Sequence, residues 1–209
     1  MMKWLGCLGV LVVIALIVGG MALGVYNNLV GLSQAVDAQW GQVENVYQRR
    51  ADLVPNLVAT VKGAADFEKS TLESVVQARA SVGQVNLGDL PNDPAGFARF
   101  QQAQDALSSA LSRLMVVVER YPDIKANQNF RDLQVQLEGT ENRIAVERMR
   151  YNEKAQAYNT ARLRVPAVIF ARLLDFGEKA YFKAAPGADQ APTLDFQFGE
   201  GAPPAEATE

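Results

Sequence analysis

Between Trp4 and Val36 the chain carries no charged side chain, and its centre, Leu8 to Val25, is apolar almost without interruption. A helix of about 20 apolar residues is long enough to cross the hydrocarbon core of a bilayer. In that solvent every backbone N–H and C=O must bond within the protein, which a lone segment can do only as a helix. Trp4 and Tyr26 stand near the two ends of the run, where aromatic rings favour the interface. No comparable run follows, so one spanning helix is expected, with residues 1–28 as the anchor. The run is longer than the apolar region of a cleaved signal peptide, and it passes straight into a helical pattern instead of a small-x-small site. Cys7 has only six residues ahead of it, too few for the apolar stretch that precedes a lipidated cysteine, and reads as a small lipid-facing residue. Gly20 and Gly24 form a G-x-x-x-G, a spacing that lets two spanning helices approach closely and offers a route to a homo-oligomer.

Flanking charge sets an orientation. Lys3 and the amino terminus precede the run, and the first basic residue after it is the distant Arg49. The positive-inside rule then leaves the short N-terminus in the cytoplasm and the main domain outside, on a single-pass protein of the bacterial inner membrane.

Residue types narrow the chemistry. The chain contains no histidine, which removes Ser–His and Cys–His nucleophile pairs, the usual zinc sites and the Glu-x-x-His motif of di-iron bundles. One cysteine allows no intramolecular disulfide. A net charge of -3 offers no electrostatic footprint for nucleic acid. A non-enzyme without cofactor or metal, working through the membrane and a protein partner, is the expectation.

Beyond Tyr26 the period is helical throughout. Leu29, Leu32, Val36, Trp40, Val43 and Tyr47 recur three or four apart. Arg49 to Val58 then brings Pro55 into the middle of the pattern. Proline lacks an N–H and disfavours a helical residue before it, while it suits the first turn of a new helix. A corner is therefore expected here, with a second helix carrying Leu57, Val61, Ala65, Leu72, Val75 and Val82 to an end at Gly83; one long helix kinked at Pro55 is the alternative. Gly83 to Pro94 is dense in turn residues and reads as a loop. Phe100, Gln104, Leu107, Leu111, Leu114, Val118 and Tyr121 alternate by four and three, the seam of a bundle or coiled coil, which Pro122 ends. A fourth helix, from about Asp123 to about Arg164, carries Phe130, Leu133, Leu137, Ile144, Tyr151 and Tyr158 on one face. The expected fold is all-α: an N-terminal transmembrane helix followed by an antiparallel four-helix bundle over residues 29–164.

Two polar sets stand out. Arg49, Arg50, Asp52, Asn56 and Lys62 cluster around the proline. Glu141, Asn142, Arg143 and Asn152 interrupt the fourth seam, with Glu141 in reach of Arg148 and Glu147 in reach of Arg143 along the helix. They read either as a polar layer that fixes register, with solvated charges around it, or as a partner-binding surface. A small-ligand or enzymatic bundle built on Asp52, Glu141 and Arg143 is the other possibility, and it needs these three to converge on one pocket.

These motifs carry a resemblance. Tyr26-Asn27-x-Leu29-Val30-x-Leu32, Trp40, Arg49-Arg50-x-Asp52-Leu53-x-Pro55-Asn56-Leu57-Val58-x-x-Val61-Lys62-Gly63, Leu72-Glu73-x-Val75-x-x-Ala78-Arg79, Tyr121-Pro122-Asp123-x-Lys125-Ala126-Asn127, Leu137 to Ile144, Arg150-Tyr151-Asn152 and Tyr158-Asn159 together resemble the LemA family of bacterial membrane proteins. The likeness covers nearly the whole chain. It implies an anchor and a four-helix bundle, and no defined chemistry. It also implies a short N-terminus outside the cell, opposite to the charge argument. Ala64 to Glu68 departs from the family pattern, where a tyrosine and a histidine are more usual.

Val165 to Phe176 is a short, very apolar segment within the region 165–185, too short to span a bilayer. Ile169, Phe170, Leu173, Leu174 and Phe176 are expected at the bundle base or the membrane interface, with Arg172 and Lys179 toward the head groups. The tail, 186–209, is rich in Pro, Ala, Gly and acidic residues and is expected to be disordered.

Overall fold

The computed structural model describes residues 2–63, 68–85, 88 and 90–184, without the side chains of residues 2–8. The expectations for the Trp4 and Cys7 side chains, for Ala64 to Phe67 and for the tail lie outside it. Among the described residues six α-helices follow in order, α1 (Met2–Lys62), α2 (Lys69–Gly83), α3 (Pro94–Val118), α4 (Pro122–Ala126), α5 (Gln128–Leu163) and α6 (Ala167–Leu173), with a single 3-10 turn at Leu90–Asn92 before α3. No strand occurs among the described residues.

α1 corrects the expected corner. It continues unbroken through Pro55 for 61 residues, about 90 Å at the rise of an α-helix. The missing Pro55 N–H leaves the Ala51 carbonyl without its helical donor. Arg79 of α2 supplies one: its Nε donates to the Ala51 oxygen at 3.0 Å. The first break falls instead between Gly63 and Lys69. The bundle still has four principal helices, because the chain turns eight residues later than the proline suggested.

The expected fourth helix is divided. Pro122 opens the single-turn helix α4, and Asn127 then caps α5, accepting from the N–H groups of Asn129 and Phe130. Asp93 caps α3 in the same way through the Ala95 N–H, with Pro94 at the first helical position.

Packing gives the directions. Val54, Leu57 and Val61 share a core with Leu107, Leu111, Leu114 and Val118, and with Phe130 and Leu137. Leu29, Val36 and Trp40 share another with Phe97, Phe100, Tyr151 and Tyr158. α1 and α3 therefore run the same way and α5 runs back; α2, with Val75 in the first core and Arg79 against Ala51, also runs back.

α2 is only 15 residues long, so toward the anchor the bundle lacks a full fourth helix. The C-terminal segment after α6 fills that place. Phe182 is buried among Trp40, Tyr47, Phe97 and Tyr151, with ring centroids 4.7 Å from Phe97 and 5.4 Å from Tyr151. α6 lies against α5 and α1 at the base, where Phe176 meets Tyr26 edge-on at 5.8 Å. From this contact toward the N-terminus α1 is bare: none of the described residues packs on its apolar window.

Candidate functional site

Helical spacing distributes the sequence-selected polar residues over three main surfaces, with Lys62 apart from all of them. Arg50 follows Val43 by seven residues and so falls on the buried face of α1, where it is 1% exposed. A cation there needs partners. Its Nη1 donates to Ser108 Oγ at 2.7 Å and to Glu141 Oε1 at 2.8 Å; its Nη2 donates to the Gln104 carbonyl at 3.3 Å and to Gln104 Oε1. The guanidinium also lies 5.1 Å from the Tyr47 ring centre. One side chain thus joins α1, α3 and α5 at the boundary between the two cores. Nearby Thr140 is buried and returns its hydroxyl to the Gln136 carbonyl.

Arg49 and Asp52 are turned the other way. With Asn56 of α1 and Asn142 and Arg143 of α5 they line an open groove of about 990 Å³ between the two helices. Its floor is mostly amide and charge. Gln48 donates to Asp52, and Glu147 accepts from Gln39 and from Arg150. Lys62 belongs to neither set; it lies with Leu72 and Val76 at a separate α1/α2 surface. Asp52, Glu141 and Arg143 do not converge: Glu141 faces Arg50 and α3, while the other two face the opposite groove. The pairings expected along α5 are also replaced. Glu141 bonds to Arg50 and Glu147 to Arg150, because partners across the bundle and one turn away are better placed.

The third surface was least visible in the sequence. Asn152 and Asn159, seven residues apart on α5, each hold one residue of the C-terminal segment by both main-chain groups. Asn159 accepts from the Lys179 N–H at 3.0 Å and donates to its carbonyl at 2.9 Å; Asn152 does the same for Phe182 at 2.9 and 3.0 Å. Two helical turns span about 10 Å. Three residues reach that distance only when extended, so the segment is a straight strap. Gln101 of α3 completes the clamp by exchanging two hydrogen bonds with Lys183. Lys179, expected among head groups, is instead 2% exposed, with Nζ 2.9 Å from Asp37 and over the Tyr158 ring. Asn152 is therefore a strap clamp and not part of the outer groove. Besides Glu141, Gln104, an amide on an otherwise apolar seam, is the sequence signal of Arg50's partners.

Ile169 and Leu173 are 63% and 79% exposed at the base of the bundle, beside Leu163 and Val165. Phe170 and Phe176 are half-buried. The groups driven furthest from their ordinary protonation are aromatic: burial raises the hydroxyl pKa of Tyr47, Tyr151 and Tyr158. Among the described residues no group of three or more acidic or sulfur ligands is assembled for a metal ion.

Magnetosome proteins MamQ 1 and MamQ 2 of Paramagnetospirillum magneticum (strain ATCC 700264 / AMB-1) are each 29% identical over 181 residues, covering 78% of this chain and 66% of their own. Magnetosome protein MamQ of Magnetospirillum gryphiswaldense (strain DSM 6361 / JCM 21280 / NBRC 15271 / MSR-1) is 28% identical with the same coverage. The chain thus spans a little under two thirds of the length of these relatives. The LemA family model matches residues 39–196, which take in the Arg50 layer, the α1/α5 groove and the strap. With the bare apolar helix ahead of that bundle, this is a membrane-associated helical protein that belongs to the LemA family.

Proposed function

We propose that this protein is a tethered scaffold: its bundle stands at the outer face of the bacterial inner membrane and offers the α1/α5 groove to a protein partner. The unbroken α1 carries this reading. The helix that presents Arg49, Asp52 and Asn56 is the same helix that is bare and apolar from Gly9 to Leu23, with no hinge between. A partner seated in the groove is held at a fixed height above the bilayer. At the base, Ile169, Phe170, Leu173 and Phe176 rest in the interface beside the anchor. Gly20 and Gly24 have open space around them, which leaves the spanning helix free to meet another.

The groove suits recognition better than chemistry. Its carboxylates, Asp52 and Glu147, are engaged by neighbouring amides and by Arg150, and the third member of the supposed acid–base set points elsewhere. The relatives' name, magnetosome protein, fits a part in a cellular structure more than a part in metabolism.

Two measurements test the proposal. A photo-crosslinking residue at Asn56 or Gln136, in the full chain in cells, is expected to give a discrete adduct that the same residue at the exposed, remote Val116 does not. Silence at both groove positions in a folded, membrane-inserted protein would remove the groove as a docking surface. Val116→Cys with Cys7→Ala, treated with a membrane-impermeant maleimide, is expected to react in intact cells; labelling only after permeabilisation would place the bundle inside.

A further inference from the structure

The strap and its clamp form a recognition site in their own right. Asn152, Asn159 and Gln101 read only main chain, so they hold any extended strand; two side-chain positions then select it. One takes a cation against Asp37 and the Tyr158 ring, and the other, three residues on, takes an aromatic ring into the box around Trp40 and Phe97. The site is thus a groove for an extended Lys-x-x-Phe strand, of the side-chain-to-backbone kind that binds peptides.

We infer that the strand this groove takes in trans is the strap of a second copy, so that two molecules exchange residues 177–183. Three observations carry it. The strap's hydrogen bonds, ion pairs and ring contacts run to α1, α3, α5 or the Leu90–Asn92 turn, and they are reproduced unchanged when the strap comes from another copy. The link that must open is short, running from the end of α6 at Leu173 to Gly177, and it contains Asp175 at φ 56, a left-handed conformation that disfavours a side chain with a Cβ. Opening the link releases that strain, as a short strained hinge does in domain swapping. The apolar helix, where it spans a membrane, also places every copy's groove and strap at one height, which raises their mutual concentration in a plane.

The buried pair between Asp37 and Lys179 allows a selective test in full-length protein. Asp37→Lys in one tagged copy opposes its own Lys179, and Lys179→Asp in a differently tagged copy opposes its own Asp37. Only exchange between the two restores opposite charge at both sites. Co-expression is expected to raise recovery of one tag with the other by at least about tenfold over either variant paired with itself, because both ion pairs are restored. The double variant Asp37→Lys with Lys179→Asp in a single chain reports whether reversal preserves the fold. No gain on co-expression, with that double variant folded, overturns the inference. Should the single variants fail to insert, Gln101→Cys and Lys183→Cys placed on separate copies (each with Cys7→Ala) give a second reading with a short bifunctional maleimide. Cross-copy product supports exchange; product confined to a chain carrying both cysteines overturns it. In either assay Asp175→Gly, which relieves the hinge without leaving the turn, is expected to lower the exchanged fraction severalfold.

Discussion

The two halves of the bundle solve the same packing problem with different materials. Away from the anchor, four helices are present and the core is largely aliphatic: Val54, Leu57 and Val61 of α1 against Val75 of α2 and Leu107, Leu111 and Leu114 of α3. Nearer the anchor α2 has ended, and three helices enclose a wider space. Aromatic rings fill it: Tyr47, Phe97 and Tyr151 lie edge-on or tilted against Phe182 of the strap, Trp40 stacks on it, and Phe100 stands edge-on to Trp40 and Tyr47. A helix satisfies its own backbone, but a strap does not, so its amides must be met by Asn152, Asn159 and Gln101. Replacing a helix by an extended segment therefore demands polar clamps inside an otherwise apolar wall. Arg50 marks the junction between the two solutions.

The largest way to break the comparison is to unseat that junction. Glu141→Leu leaves the Arg50 guanidinium buried without its counter-charge and is expected to cost about 3–5 kcal/mol in denaturant unfolding of the detergent-solubilised protein. Arg50→Met alone should cost less, because Glu141 reaches solvent once released. The pair Arg50→Met and Glu141→Leu should recover much of the loss, since two apolar side chains of similar length can fill the layer. A double variant no better than Glu141→Leu would mean that Arg50 fixes geometry through Gln104 and Ser108 more than through charge.

Next in size are truncations within one half. Phe182→Ala and Leu111→Ala should each cost about 3 kcal/mol, in opposite halves. Hydrogen exchange is expected to show lost protection around Trp40 and Tyr151 for the first, and around Leu57 and Leu114 for the second. Equal loss in both halves for either variant would show that Arg50 makes them one cooperative unit.

A smaller effect tests the long helix. Arg79→Ala deprives the Ala51 carbonyl of its donor and should cost about 1 kcal/mol. Pro55→Ala restores the helical N–H, so in that background Arg79→Ala should cost almost nothing. A cost unchanged by Pro55→Ala would mean that Arg79 works through contacts other than this carbonyl.

That pair also shows where sequence reading reaches its limit. The seams were legible because each depends on spacing alone: Leu29 to Tyr47, Phe100 to Val118 and Phe130 to Tyr158 are buried where the three-and-four period puts them, with Leu32 and Leu133 partly so. The loop after Gly83 was legible from its turn residues. Pro55 was misread because its effect is local while its remedy, Arg79, lies 28 residues on in another helix. Packing of 165–185 on the bundle was within the expectation, but the extended, clamped form of the strap was not, because Asn152 and Asn159 bind main chain, which has no residue type to recognise. Asn127 was within reach: an asparagine ahead of an apolar-periodic run is a cap signal. For the site, Glu141 could be expected to face Arg49, Arg50 or Asp52, and the spacing left open which; the turn at Gly63 and the direction of α5 decide that it is Arg50.

The smallest effect concerns protonation, and it separates the halves again. The tyrosines whose hydroxyl pKa is raised, Tyr47, Tyr151 and Tyr158, all belong to the aromatic half, and in each the leading cause is burial, which disfavours the phenolate. A folded pKa above the unfolded value near 10 means that their contribution is fully present below about pH 10 and is lost as pH rises through the folded value. Alkaline titration should therefore loosen the strap half first, seen as Trp40 fluorescence shifting before far-UV ellipticity falls. Tyr151 is the sharpest probe: it is fully buried, and its hydroxyl has no hydrogen-bond partner within the described protein. Tyr151→Phe removes an unpaired buried polar group while keeping the ring against Phe97 and Trp40. At neutral pH it should be neutral or stabilising by up to about 1 kcal/mol, and it should move the alkaline transition of Trp40 upward. A clear loss of stability at pH 7 would instead reveal a partner for that hydroxyl, and with it a polar contact in the aromatic core comparable to the one Arg50 makes at its edge.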